Sequence, residues 1–320
     1  MKLTLNRRSF LSAAAALPLM PRMARAGTPF AFQASWINDA EFAGYFTAMD
    51  QGYYTAEGLD LTYLSGGPDV IPETAVIAGK ADLTLTTPDT TILAISTQGA
   101  KLKIIGTQYQ KNPVGIVSLA KNPIKTPADM VGKTIAVPPV NTISVEAMLA
   151  MNGIDKAQVN IVPYEYDPTP LIKGEIDGSL DFTTNVPYTI KLAGEDATSF
   201  LLYDFGYTLF NDTVVVTEET LAAKRKDIVA WLRASRRGWV DALADPAVWP
   251  PKFKDTHFAG TGREIDNEVF FNTAQKPLIE AEAGIFSMSE EAIAANIEAL
   301  SKVGIKGSRD MFDTTLLEEI

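Results

Sequence analysis

A chain of 320 residues with a formal charge of −11, 46% hydrophobic residues and no cysteine can bury a core without covalent help, and it excludes disulfide and thiolate chemistry. So acidic a balance repels nucleic acid and anionic membrane. At this length two lobes are expected rather than one.

In chain order, Asn6-Arg7-Arg8-Ser9-Phe10-Leu11-Ser12 sets two arginines before Phe-Leu. An alanine-rich run from Ala13 to Met20 follows, and Ala24-Arg25-Ala26 offers a small-x-small cleavage site. The apolar run is too short to span a bilayer, so residues 1–26 are expected to be a signal peptide. The paired arginines resemble the twin-arginine export signal, with an ordinary secretory signal as the alternative. Removing residues 1–26, which hold Lys2, Arg7, Arg8, Arg22 and Arg25 and no acid, takes the formal charge from −11 to −16. A lipid anchor after the signal needs a cysteine, so the mature chain is expected to be free and soluble in the periplasm.

Short apolar strands then alternate with amphipathic helices, the pattern of an α/β protein with mixed, largely parallel sheets flanked by helices. Strands are predicted at Pro29–Ser35, Leu59–Leu64, Asp82–Thr86 and Leu102–Gly106. Between them lie a helix capped by Asn38 or Asp39 and ended by Gly52, a short helix up to Ala78-Gly79, and a helix over Pro88–Gln98. A second series brings strands at Val114–Ala120, Lys133–Val137, Val159–Pro163 and Ser179–Thr183, with a helix start at Thr126-Pro127 and helices over Ser144–Met151 and Tyr188–Gly194. After a strand at Thr213–Thr217, helices dominate. One starts at Thr217-Glu218-Glu219, buries Ile228, Leu232, Trp239 and Leu243, and stops at Asp245-Pro246; another runs from Ser289 to Gly304. Arg233, Arg236 and Arg237 are expected on the solvated face of the first. The chain thus divides into a first lobe of residues 27–116 and 212–320 and an inserted second lobe of residues 117–211. The crossings fall near Gly115–Leu119 and Tyr207–Val214, and two crossings permit hinge closure.

Two blocks carry a resemblance. Trp36-x-Asn38-Asp39-Ala40-Glu41-Phe42-Ala43-Gly44-Tyr45-Phe46 leads into Gly52-Tyr53-Tyr54-x-x-Glu57-Gly58-Leu59-Asp60, then Gly66-Gly67-Pro68-Asp69 and Gly79-Lys80-Ala81-Asp82. Later comes Asp181-Phe182-Thr183-Thr184-Asn185-Val186-Pro187. The chain resembles the ABC-transporter solute-binding proteins of the nitrate, sulfonate, taurine and thiamine-pyrimidine class, and within them the branch that binds thiamine-pyrimidine precursors or riboflavin. The resemblance covers nearly all of residues 27–320. It implies a two-lobed periplasmic binding protein fold of type II with the ligand in the cleft, no bond-making chemistry, no cofactor, and an ABC permease and ATPase as partners; a monomer is the default.

Ligands of open α/β sheets sit beyond the carboxyl ends of strands, which nominates residues by position. After the first strand come Trp36, a face for stacking or else a core aromatic, with Asn38, Asp39 and Tyr45. Glu41 can accept from an amino-pyrimidine edge or simply answer a helix dipole. Gly67 allows close backbone approach or a plain turn; Thr87 and Asp89 follow the third strand, where Thr87 can equally cap a helix; Gln108 and Tyr109 end the strand at the first crossing. In the second lobe the candidates are Asn141, Thr142, Glu165, Asn185 and Tyr188, with Tyr207 at the return crossing. The turn at Pro139–Thr142 holds no glycine and no candidate position carries lysine or arginine, which disfavours nitrate, taurine or a sulfonate and favours a neutral or cationic ring. The rival from another class is a pyrimidine-synthase-like enzyme on the same fold, which would need a reactive lysine, histidines and a cysteine cluster; His257 is the sole histidine here. No metal-ligand spacing is present.

Overall fold

The computed structural model describes residues 27–320; the expected signal peptide lies outside the described residues. Ten strands form two five-stranded sheets. They are β1 (Thr28–Gln33), β2 (Leu59–Leu64), β3 (Leu83–Thr86), β4 (Leu102–Tyr109), β5 (Val114–Leu119), β6 (Thr134–Val137), β7 (Asn160–Pro163), β8 (Gly178–Phe182), β9 (Ala197–Leu201) and β10 (Asn211–Thr217). The first sheet has the order β2-β1-β3-β10-β4 and the second β7-β6-β8-β5-β9. β1 runs parallel to β2 and β3, and β6 to β7 and β8. β10 is antiparallel to both of its neighbours, as is β5.

That mixture has a consequence for function. The two antiparallel strands are the first that the chain lays down after crossing from one sheet to the other. The amino end of an antiparallel strand lies at the same sheet edge as the carboxyl ends of its parallel neighbours. Residues at the starts of β5 and β10 therefore join those that follow β1, β3, β6 and β8 along one cleft. The first crossing precedes Val114, since β5 belongs wholly to the second sheet; the expected crossing at Gly115–Leu119 lies inside that strand. The return falls between Leu201 and Asn211.

Besides short helical turns, a strand and a long helix escape the pattern reading. β9 is one, with its short run Ala197–Leu201. The other is the helix Ile265–Ile279, which carries Pro277 and buries Asn267, Glu268, Asn272 and Gln275. Polar residues on the inward face of a helix invert the usual stripe. Two of them find distant partners: Gln275 Nε2 donates to the Ala40 carbonyl (2.6 Å), Tyr109 Oη to Gln275 Oε1 (2.5 Å), and Asn272 Nδ2 to the Pro246 carbonyl (2.8 Å). The helix thereby clamps the turn that carries Asp39 and Glu41.

From below, the same turn rests on a helix crossing made possible by two glycines. The helix Ala43–Asp50 lies across Glu218–Ala244, whose Ile228, Leu232, Trp239 and Leu243 are buried as the spacing predicts. A Cβ on Gly44 would stand 2.1 Å from the Trp239 ring, and one on Gly238 would stand 2.2 Å from the Gly44 carbonyl oxygen. Gly238→Ala is expected to lower stability by about 3 kcal/mol through overpacking against backbone that cannot yield; chemical denaturation checks it, and an unchanged midpoint would show that the helices separate at no cost. Of the three arginines on this helix, Arg233 and Arg237 are exposed, but Arg236 is half-buried and donates to the carbonyls of Ile285 and Ile320. No helix among the described residues is long and apolar enough to cross a membrane.

Candidate functional site

Where the two sheet edges face each other, a cavity of about 340 Å³ opens. Its first wall holds Ser35, Trp36, Asp39 and Glu41 after β1, Thr86 and Thr87 after β3, and Asn211 and Asp212 at the start of β10; its second holds Val114, Pro138, Asn141, Tyr166, Asp181, Phe182 and Asn185. Arg263 and Phe271 close it from the side of the Ile265–Ile279 helix.

Trp36 and Tyr166 face each other across the cleft, with ring centroids 5.1 Å apart and planes inclined at 59°. Trp36 is half-buried at the margin of the first core, so its ring serves both packing and the cavity. Tyr166 is held at φ 61° in the left-handed region, and Asp212 at φ 46°; of the three such non-glycine residues among those described, only Phe286 lies off the cavity. Backbone strain of this kind persists where surrounding structure enforces it, often at binding sites.

Beneath the aromatic pair lies a buried carboxylate group. Asp39 Oδ2 pairs with Arg263 Nη2 at 2.9 Å while its Oδ1 accepts from the Glu41 amide. Ser35 Oγ donates to Asp212 Oδ1 at 2.7 Å and lies 3.4 Å from Glu41 Oε1. Glu268 Oε2 accepts from the Ala40 amide at 2.6 Å. Burial pushes Asp39 and Asp212 up to about 6 and Glu268 up to about 8. Burial drives Glu41 well above the carboxylate range, and the charges of Asp212 and Asp39 add to the shift. On the opposite wall Asp181 accepts from Ser179 Oγ (2.5 Å), and burial pushes it up to about 7. Asp212 Oδ2 and Arg263 Nε are buried without a hydrogen-bond partner among the described residues.

Of the residues nominated by strand position, Trp36, Asp39, Glu41, Thr87, Asn141 and Asn185 line the cavity. Thr87 precedes the Pro88–Gln98 helix without a side-chain capping bond. Asn185 Oδ1 accepts from Asn267 Nδ2 (2.8 Å), a bond that ties the second wall to the Ile265–Ile279 helix. The others lie elsewhere. Asn38 accepts from Tyr63 and donates to the His257 carbonyl. Tyr45 is wholly buried among Phe32, Trp231 and Trp239. Gln108 donates to the Glu41 carbonyl and so supports the turn, and Tyr109 is spent on Gln275. Tyr207 accepts from Ser144 Oγ, and Tyr188 lies against Phe270. Asp89 and Thr142 stand in the first turns of their helices, outside the lining, and Glu165 is exposed. Gly67 does not line the cavity either; it is Gly66 whose Cβ would strike the Ser35–Trp36 backbone at 2.5 Å, so that glycine serves chain packing.

Position along the chain points to Tyr166 after β7 and to Asp212 after the return crossing, but it misses Asp181 and above all Arg263 as members of the lining. Arg263 corrects the expectation that no cation stands at the site. It precedes a helix that hydropathy does not reveal, and its partner Asp39 is remote in sequence. His257, in contrast, stacks on Phe46 at 4.3 Å and meets Asp50, away from the cavity lining.

Comparison with known proteins follows the same lines. The model of the family described as NMT1/THI5 like matches residues 39–248. A riboflavin-binding protein of Chloroflexus aurantiacus is 27% identical over 217 residues, or 66% of this chain and 62% of that protein. A formylaminopyrimidine-binding protein of Halalkalibacterium halodurans is 24% identical over 217 residues, 66% of this chain and 65% of that protein. The chain thus spans less than two thirds of the length of these curated relatives. Among solved structures, a putative periplasmic sulfonate-binding protein of an ABC transporter from Methylobacillus flagellatus superposes with a TM-score of 0.66 at 11% identity, over 92% of this chain and 94% of that one. A likeness at that identity is one of fold: two mixed sheets flanked by helices, in the periplasmic binding protein arrangement.

Proposed function

From the premise that this chain belongs to the NMT1/THI5-like family, we propose that it is the ligand-capturing component of an ABC import system for a small nitrogen heterocycle of the aminopyrimidine kind. One observation carries the reading: a cavity walled by the Trp36–Tyr166 pair above and by carboxylates and amides below, between two sheets joined by two crossings. A flat ring stacks against the open face of such an aromatic, and its amino edge donates to Asp212, Glu41 or Asp181 and meets the side-chain amide of Asn185. In this reading residues 27–109 with 211–320 form one lobe and residues 114–201 the other, and closure of the lobes hands the loaded protein to a membrane permease and its ATPase. Passage to the periplasm through a twin-arginine signal at residues 1–26 belongs to the same proposal.

Anionic ligands fit poorly. Among the described residues Arg263 is the sole cation in the lining, and Asp39 already holds it at 2.9 Å. A nitrate or sulfonate would face several carboxyl groups and a guanidinium whose charge is already paired with Asp39, with only its Nε–H left unpartnered. The names of both relatives support binding without turnover, one for a formylaminopyrimidine and one for riboflavin. Riboflavin is the second reading, since about 340 Å³ lies at the lower end of cavities that enclose a whole organic ligand.

Calorimetric titration with 4-amino-2-methylpyrimidines, riboflavin, taurine and nitrate tests this. Binding of an aminopyrimidine in the micromolar range or tighter is expected, with no heat from the anions. Binding of the anions alone would overturn the reading.

A further inference from the structure

The floor of the cavity holds more acid than its single guanidinium balances. Arg263 is committed to Asp39, while the Ser35 hydroxyl bridges the other two carboxyls, 2.7 Å from Asp212 Oδ1 and 3.4 Å from Glu41 Oε1. Asp212 is 1% exposed, and its Oδ2 has no partner among the described residues. Leaving a buried acceptor unpaired costs about 1–3 kcal/mol, so a donor entering the cavity has a place prepared for it.

Resting on the heterocycle-binding reading above, we propose that the cavity takes its ligand as a cation, an amidinium or a protonated amino-heterocycle whose N–H edge bonds Asp212 and Glu41, and that capture expels the proton those two carboxyls share. The exchange balances. One positive charge enters with the ligand, Glu41 releases one proton to solvent, and two carboxylates then face one cation. A dry site tolerates such a swap because its net charge does not change.

The groups that face the pair agree with this. From its own turn comes Asp39; from the side of the Ile265–Ile279 helix come Arg263 and Glu268; from the Ala43–Asp50 helix, β2 and β4 come Tyr45, Tyr63 and Tyr109. The three tyrosines are pushed further up by burial and so stay neutral, and Glu268, raised to about 8, is mostly protonated at pH 7. That leaves Asp39 against Arg263 as the fixed charges, and a shared proton as the one mobile charge.

The test titrates the full chain at pH 7 with benzamidine, a cation, and with benzamide, its neutral near-isostere, by calorimetry in phosphate and again in Tris. Benzamidine is expected to bind at least about tenfold tighter, as a charge-assisted hydrogen bond predicts. Its apparent enthalpy should differ between the buffers in proportion to about one proton released per molecule bound. Glu41→Gln, which keeps the side chain's length and a donor toward Asp212, is expected to abolish the buffer dependence; Asp212→Asn should abolish the preference for the cation. Thermal unfolding of both variants confirms that they are folded, and the wild-type titrations decide the matter even if one is not.

Equal affinity for benzamide and benzamidine, or benzamidine binding with no buffer dependence, would overturn the proposal. If aminopyrimidines or riboflavin then still bind, the cation inference alone falls. If none of these compounds binds, the heterocycle reading falls with it.

Discussion

Asp181→Asn is expected to raise the stability of the ligand-free protein by about 4 kcal/mol at pH 8 and to leave it nearly unchanged at pH 4. The carboxyl is buried at the end of β8, and burial raises it from 3.8 to about 7. A gap of that size corresponds to about 4 kcal/mol between the protonated and ionised forms. The sign follows from proton uptake. Between about pH 4 and 7 the native state holds the Asp181 proton and the unfolded chain does not, so stability falls as pH rises through that window. Below pH 4 both states are protonated and the penalty vanishes. Asparagine has no charge to bury and can still accept from Ser179 Oγ, which now donates at 2.5 Å. The measurement is the midpoint of chemical denaturation from pH 4 to 8 for both proteins. A difference that does not grow with pH would mean that Asp181 is hydrated in solution. Asp39, Asp212 and Glu268 are raised as well, so the wild type should itself lose stability toward alkaline pH. The gain in Asp181→Asn should come with weaker binding of a heterocycle, because Asp181 lines the cavity.

Loss of the aromatic face should have the second largest effect. Trp36→Ala is expected to weaken aminopyrimidine binding by about 10- to 100-fold, the range found when stacking of a base on an aromatic side chain is removed. Trp36→Phe should retain most of the affinity. The ring is half-buried and makes only part of its contact with the core, so the unfolding temperature of the empty protein should fall by no more than a few degrees. Isothermal titration beside thermal unfolding separates the two effects. Unfolding of Trp36→Ala with unchanged affinity in the folded fraction would assign the ring to the core and remove it from the site.

Most of the fold was legible because its signals are local. Alternation in Leu59–Leu64, the Pro88–Gln98 helix bounded by Thr87 and Gly99, and the apolar stripe of the Glu218–Ala244 helix each depend on neighbours a few positions away. The rule that ligands lie at strand ends then brought Trp36, Asp39, Glu41, Thr87, Asn141 and Asn185 to the cavity edge, because it depends only on strand direction. It failed for Gln108 and Tyr109, which also end a strand. Their side chains meet Glu41 and Gln275 instead of open space.

What remained hidden is non-local and polar. The Ile265–Ile279 helix turns Asn267, Glu268, Asn272 and Gln275 inward, and a composition of that kind reads as solvent-facing until its partners are known. Glu268 finds the Ala40 amide 228 positions away, and Ser35 finds Asp212 177 positions away. The sequence by itself determined the alternating α/β architecture, the family blocks and the aromatic and acidic side chains at the strand ends, because strand pairing and helix caps are written in short-range pattern. Only the tertiary structure decided that Asp39, Glu41, Asp212 and Glu268 share one buried floor with Arg263. Whether a carboxyl keeps its charge depends on which groups replace its water, and those groups are assembled by the fold from distant parts of the chain.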